Sequence, residues 1–255
     1  MKRMFFVASA FGFLALAAPL PMAGSGARAT TVSPMVLDLQ TSGRNVVANI
    51  SVNNSGDKPL TMEAVVIALD ATAAGLAAGK ASTDDLLVSP PTALIAPGKT
   101  QSFRVQWLGD PAPPTSHHYY VSLNQLPVKL PEGQSAVQVV YNFQVLVSVG
   151  ATKGKPALSI QSAAIGDNKG KPAPSITVGN AGSTYGYMSQ HKLKLVETDT
   201  GGKEVFTRII SGNEFQQLVG YGLVATGQSR TMTLPIDLPS RTGKLIATLL
   251  DEHGE

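Results

Sequence analysis

Residues 136–149 read AVQVVYNFQVLVSV, with no charge, proline or glycine. The odd positions Val137, Val139, Tyr141, Phe143, Val145, Val147 and Val149 form an unbroken apolar face. The even positions mix Gln138, Asn142, Gln144 and Ser148 with Val140 and Leu146. Period-two alternation of β-branched and aromatic residues predicts a β-strand. It would be about twice the usual strand length. An uncharged strand this long is an aggregation hazard at a sheet edge. It therefore sits inside a sheet or is reserved for pairing with another chain.

The flanking sequence is read the same way. Upstream, residues 100–108 alternate, with Phe103, Val105 and Trp107 on one face and Ser102, Arg104 and Gln106 on the other. Residues 118–126 predict a strand closed by Pro127, and Pro97-Gly98 a turn. Further strands are expected at 46–52, 60–69 and 86–88. The first strand, 31–39, contains Pro34, which has no ladder donor; it predicts an edge position or a switch between sheets. Residues 70–85, rich in Ala, Gly, Ser and Asp, read as a loop with a helical turn at 73–78. About seven strands in ~120 residues is the spacing of a β-sandwich. Downstream, residues 150–156 (GATKGKP) read as a linker. Strands at 157–164, 175–180, 185–197, 203–211, 228–234 and 244–251 would build a second, smaller sandwich over 157–255.

Composition agrees. The 255 residues are 15% charged, with 25 glycines and 17 prolines. That is an all-β, turn-rich composition. There is no cysteine, so each domain must rest on its core alone. Residues 1–29 read as a cleavable export signal: Lys2 and Arg3, an apolar run from Phe5 to Leu20, then Ala27-Arg28-Ala29. Residues 30–149 would then be the first domain. Without Lys2, Arg3 and Arg28, 17 basic residues face 17 acidic ones, which gives no basis for nucleic-acid binding. No later stretch is long and apolar enough to span a bilayer, so the expected product is not membrane-embedded.

No chemistry-bearing constellation emerges. His117 and His118 are adjacent on a predicted strand, so their side chains point to opposite faces, wrong for one metal ion. They are expected to be packed or solvated. No nucleophile elbow, phosphate-binding glycine loop or HExxH motif occurs. The expectation is a non-enzyme with no catalytic residues, metal or cofactor.

Several segments carry a resemblance. Ser89-Pro90-Pro91, then Ile95-Ala96-Pro97-Gly98-Lys99-Thr100-Gln101-Ser102-Phe103-Arg104-Val105, is similar to a segment of the PapD-like periplasmic pilus chaperones. Tyr119-Tyr120-Val121-Ser122-Leu123-Asn124-Gln125-Leu126-Pro127 resembles the family's aromatic stretch, and the long apolar strand follows in the family's order. Ile176 to Gly182 with Tyr185 resembles its second-domain Asn/Gly turn, and Leu249 to Gly254 its final acidic segment. The resemblance implies two immunoglobulin-like β-sandwiches set in an L. It also implies that the long strand is lent to a pilus or fimbrial subunit lacking its last strand, and that the subunit is passed to an outer-membrane usher. On this reading Val137, Val139, Tyr141, Phe143 and Val145 enter the subunit, while Val140 and Leu146 pack on the chaperone's own core. Self-capping of the free strand in a homo-oligomer is a further expectation. Asp251 corresponds to the family's interdomain acid.

The resemblance has gaps. The family's Arg and Lys, which hold the subunit's C-terminal carboxylate, align with Pro34 or Met35 and with Gln144 or Val145. None is basic, which suggests a divergent, archaic-type branch. Arg104 is then the candidate carboxylate anchor. The competing reading is a secreted Ig-like pilus subunit or adhesin that self-assembles through an edge strand.

Overall fold

Pro34 divides the first predicted strand in two, and the parts join different sheets. In the computed structural model, which describes residues 30–79, 83–127, 140–151 and 153–250, these parts are β1 (Thr31–Ser33) and β2 (Val36–Gln40). The chain continues through β3 (Val47–Asn53), β4 (Leu60–Thr72), β5 (Gly75–Ala78), β6 (Leu86–Ser89) and β7 (Thr92–Ile95). Next come β8 (Thr100–Trp107), β9 (His117–Gln125) and β10 (Asn142–Gly150). One sheet runs β1-β3-β8-β6; the other runs β2-β10-β9-β4-β5, with β7 also on β4. Phe103, Val105 and Trp107 of β8 turn inward, as their alternation predicts, and Ser102 and Arg104 turn to solvent. They meet Ile50, Val52, Met62, Tyr119, Val121 and Leu123 in a single apolar core.

Residues 70–78 depart from expectation. They continue β4 and turn into β5 as a hairpin, with no helical turn. The β4–β9 ladder ends at Leu69, and pairing of β4 with β5 beyond it outweighs the helix propensity of the alanines.

The C-terminal half has three small sheets. Its strands are β11 (Leu158–Asn168), β12 (Lys171–Asn180), β13 (Gly186–Tyr187), β14 (Lys192–Thr198) and β15 (Glu204–Ile210). They are followed by β16 (Leu223–Val224), β17 (Ser229–Thr233) and β18 (Lys244–Leu250). The sheets are β11-β12-β17, β13-β16 and β15-β14-β18, around a separate core that includes Ile176, Leu195, Ile210 and Phe215. Neither the short strand β16 nor the helix α1 (Gly212–Val219) was anticipated. Ser211 caps it, its hydroxyl accepting from the Glu214 amide at 3.2 Å. Ser211-x-x-Glu214 is a capping-box pattern, and that local signal could have revealed the helix. Among the described residues, no helix is long and apolar enough to cross a membrane.

Candidate functional site

The long strand carries the site. Of the predicted span 136–149, β10 accounts for Asn142 onward; Val137 and Val139 lie outside the described residues, as does Asp251. Two neighbours flank β10, but unequally. β9 pairs antiparallel along its length, from Asn142↔Asn124 to Val149↔His117. β2 pairs parallel only from Leu146↔Val36 to Gly150↔Gln40. Among the described residues, 142–145 therefore pair on one side only. The Leu146 amide donates to the Met35 carbonyl at 3.0 Å, whereas the Tyr141 carbonyl accepts from the Gln125 amide at 2.8 Å. Backbone groups alternate sides along a strand, so those of Asn142 and Gln144 point to the open edge.

Burial corrects the expected parity. Val145, Val147 and Val149 are fully buried in the N-terminal half's own core. Val145 is thus not on an open face, and the odd residues here fill the core assigned to the even ones. The reason is register: Val145 opposes the buried Val121, so both side chains enter the sandwich. Val140 is 52% exposed, and Leu146 joins a different apolar cluster with Val36, Tyr187 and Leu223. The odd face runs on past the core rim. Phe143 is half-buried against the core, and Tyr141, 37% exposed, stacks on it with ring centroids 5.8 Å apart. Stacked aromatics at a sheet edge, with open backbone groups beside them, are suited to taking an added strand.

Arg104 is placed elsewhere. It lies on β8, in the sheet that does not contain β10, paired with Asn49 and Ser89 and exposed on the outer face. Its neighbours Phe103 and Val105 point into the core, so its side chain points away from β10.

The other end of β10 is covered by the C-terminal half, and this seam was not foreseen. Tyr185 and Tyr187 each donate a hydroxyl hydrogen bond to Asp38 Oδ1 at 2.7 Å. Burial, then the Asp38 carboxylate, pushes both phenols above their ordinary pKa, so both remain donors. Ser148 is fully buried, its Oγ 3.0 Å from His118 Nδ1. His118 Nε2 lies 3.2 Å from Ser116 Oγ, which accepts from Thr226 Oγ1 at 3.1 Å. The Tyr185 ring meets the His118 ring edge-on at 5.4 Å.

His118 is therefore no solvated histidine. Burial, assisted by the charge of His117, lowers its pKa from 6.5 to about 4. The unfolded chain takes up this proton near pH 6.5, the folded one only near pH 4. Between those values the unfolded state binds more protons, so stability rises with pH across the window and is lost as pH falls through it. The expected loss from pH 6.5 to 4 is about 3 kcal/mol. Urea unfolding at stepped pH should show this slope, and His118→Gln should flatten it; an unchanged slope in the variant would rule His118 out as its source.

Comparison with known proteins follows from this geometry. Residues 32–147 match the family described as pili and flagellar-assembly chaperone, PapD N-terminal domain. No curated protein sequence matches the chain. Among solved structures, a chain of the Salmonella enterica SafA pilin–SafB chaperone complex is similar at 16% identity, over 89% of this chain and 91% of that one, with TM-score 0.53. A chain of a chaperone–tip adhesin complex of CFA/I fimbriae biogenesis is similar at 12% identity, over 89% and 94%, with TM-score 0.52. The E. coli chaperone DraB is similar at 14% identity, over 88% and 96%, with TM-score 0.51. At these identities the likeness concerns the fold, two β-sandwiches in one chain. Over residues 32–147, the chain is similar to the PapD N-terminal domain of pili and flagellar-assembly chaperones.

Proposed function

We propose that this protein is a periplasmic chaperone that binds pilus or fimbrial subunits by lending them strand β10 and the residues leading into it, then delivers them to an outer-membrane usher. The observation that carries the reading is the unequal flanking of β10: residues 142–145 pair with β9 alone, beside the rim aromatics Tyr141 and Phe143. Backbone pairing along that edge supplies affinity, and alternate side chains supply fit. Val137, Val139, Tyr141 and Phe143 are the residues proposed to enter the subunit. Val145 is omitted because the protein's own core holds it.

Amide hydrogen exchange tests this reading. On binding a co-purified fimbrial subunit, the amides of Asn142 and Gln144 should gain protection, while that of Val145, already directed toward β9, should change little. Protection already present in the free protein, and falling on dilution, would indicate strand-capping between copies instead. Subunit binding without any change at Asn142 and Gln144 would refute strand addition.

A further inference from the structure

The burial of His118 does not come from its own sandwich. Tyr119 and Val121 enter the core of the N-terminal half, so His118 between them points to the opposite face of the sheet. There it forms a row with Leu69 on β4 and Ser148 on β10. Leu69, His118 and Ser148 are 7%, 3% and 0% exposed. The next row on the same face, Ile67, Tyr120 and Leu146, is only half-buried. What covers the first row is the C-terminal half. The Tyr185 ring stands edge-on to the imidazole, and the Tyr187 hydroxyl lies 3.4 Å from Ser148 Oγ. The Thr226 amide and hydroxyl reach Ser116 Oγ at 3.4 and 3.1 Å.

The hydrogen bonds run in one direction. Thr226 gives its hydroxyl proton to Ser116, Ser116 gives its own to His118 Nε2, and Nδ1–H donates to Ser148. That uses the one acceptor and the one donor of a neutral imidazole. A proton added at Nε2 meets the Ser116 proton, and Ser116 Oγ then faces three donors with two lone pairs. The surrounding charges do not offset it. On its own strand His117 repels an imidazolium, and Tyr119 faces the core. Asp70 of β4 is exposed and lies against Gly79. Asp38 of β2 is engaged by Tyr185 and Tyr187, both of which stay neutral. β10 and residues 223–228 bring no ionisable group. A cleft of about 420 Å³ between the halves, lined by Asp70, His117, His118 and Thr226, gives protons a route to the ring.

We infer that His118 is a proton-operated latch between the two halves: the neutral ring holds them together, and protonation releases them while each stays folded. The latch needs no subunit and is independent of the strand-lending reading. Its effect reaches β10, because Ser148 is that strand's own link in the chain. On release the ring regains its ordinary pKa. The latched ring has the lower value, about 4 against 6.5, so latching is full above pH 6.5 and is lost as pH falls toward 4. The equilibrium constant for separation should rise about twentyfold from pH 7 to pH 5, and about a hundredfold by pH 4.

Small-angle scattering of the purified protein between pH 7 and 4, with far-UV circular dichroism on the same samples, tests the latch. The wild type should expand as pH falls, with its β spectrum unchanged. Tyr185→Ala removes the ring that covers His118 and should expand at a higher pH. In that variant, proton NMR should show His118 titrating closer to 6.5 than in the wild type. His118→Gln keeps a donor and an acceptor but cannot titrate, and its size should not depend on pH. If neither the wild type nor Tyr185→Ala expands by pH 4, or if the β spectrum is lost in step with expansion, there is no latch. A pH-dependent expansion retained in His118→Gln places the proton elsewhere and overturns the inference. An unchanged His118 titration in Tyr185→Ala means that the C-terminal half does not bury the ring, and overturns it as well.

Discussion

Val145→Asp is expected to unfold the N-terminal half. Val145 is fully buried opposite Val121, among Val147, Val149 and Leu123. A carboxylate there finds no cation and loses its water, at a cost of more than about 4 kcal/mol. Domains are stable by only about 5–15 kcal/mol, so most of that margin disappears. Gln144→Asp, one residue earlier, places the same charge on the exposed face and should stay within about 0.5 kcal/mol of wild type. Trp107, the single tryptophan, is buried in this core, and its fluorescence in urea reports on it directly. Equal midpoints for Val145→Asp and wild type would show that the inward register of β10 is wrong.

Tyr141→Asp combined with Phe143→Asp should abolish subunit capture while leaving a folded protein. These aromatics sit at the core rim, one 37% exposed and the other half-buried. Their loss should therefore cost the fold about 1–2 kcal/mol. In an apolar acceptor groove, two unpaired carboxylates would each face a desolvation penalty of several kcal/mol, so capture should fall at least about a hundredfold. Val140→Asp is the control of opposite parity: Val140 is 52% exposed, and its substitution should leave capture nearly intact. Retained co-purification of a subunit by the double variant, with a wild-type urea midpoint, would refute the proposed face; so would loss of capture by Val140→Asp alone.

Much of the architecture is local and could be read from residues. Alternation in 100–108 correctly separates Phe103, Val105 and Trp107 from Arg104, because a strand's side chains change face at every residue. Pro34 marks the switch between sheets because it has no amide to give a ladder. The hairpin at 70–78 was obscured because alanine and glycine leave little periodic signal; it extends a strand that β9 holds only as far as Leu69. Helix α1 did leave a signal, in Ser211 and Glu214, but it is short, and its apolar face shows its purpose only against a core.

The site divides along the same line. That 142–149 lie on a strand with one apolar face follows from composition and period, which need no neighbours. Which stretch of that face fills the protein's own core, and where it runs free, depends on how far β2 extends beside it. β2 stops at Leu146, and this pairing joins residues more than a hundred positions apart. The Asp38 seam closes across 147 and 149 positions. Arg104 looks like any other arginine in the sequence; only packing turns it to open solvent on the sheet that does not contain β10. Periodicity reports the alternation of a strand's two faces, whereas what covers each face is set by long-range contacts that no local pattern encodes.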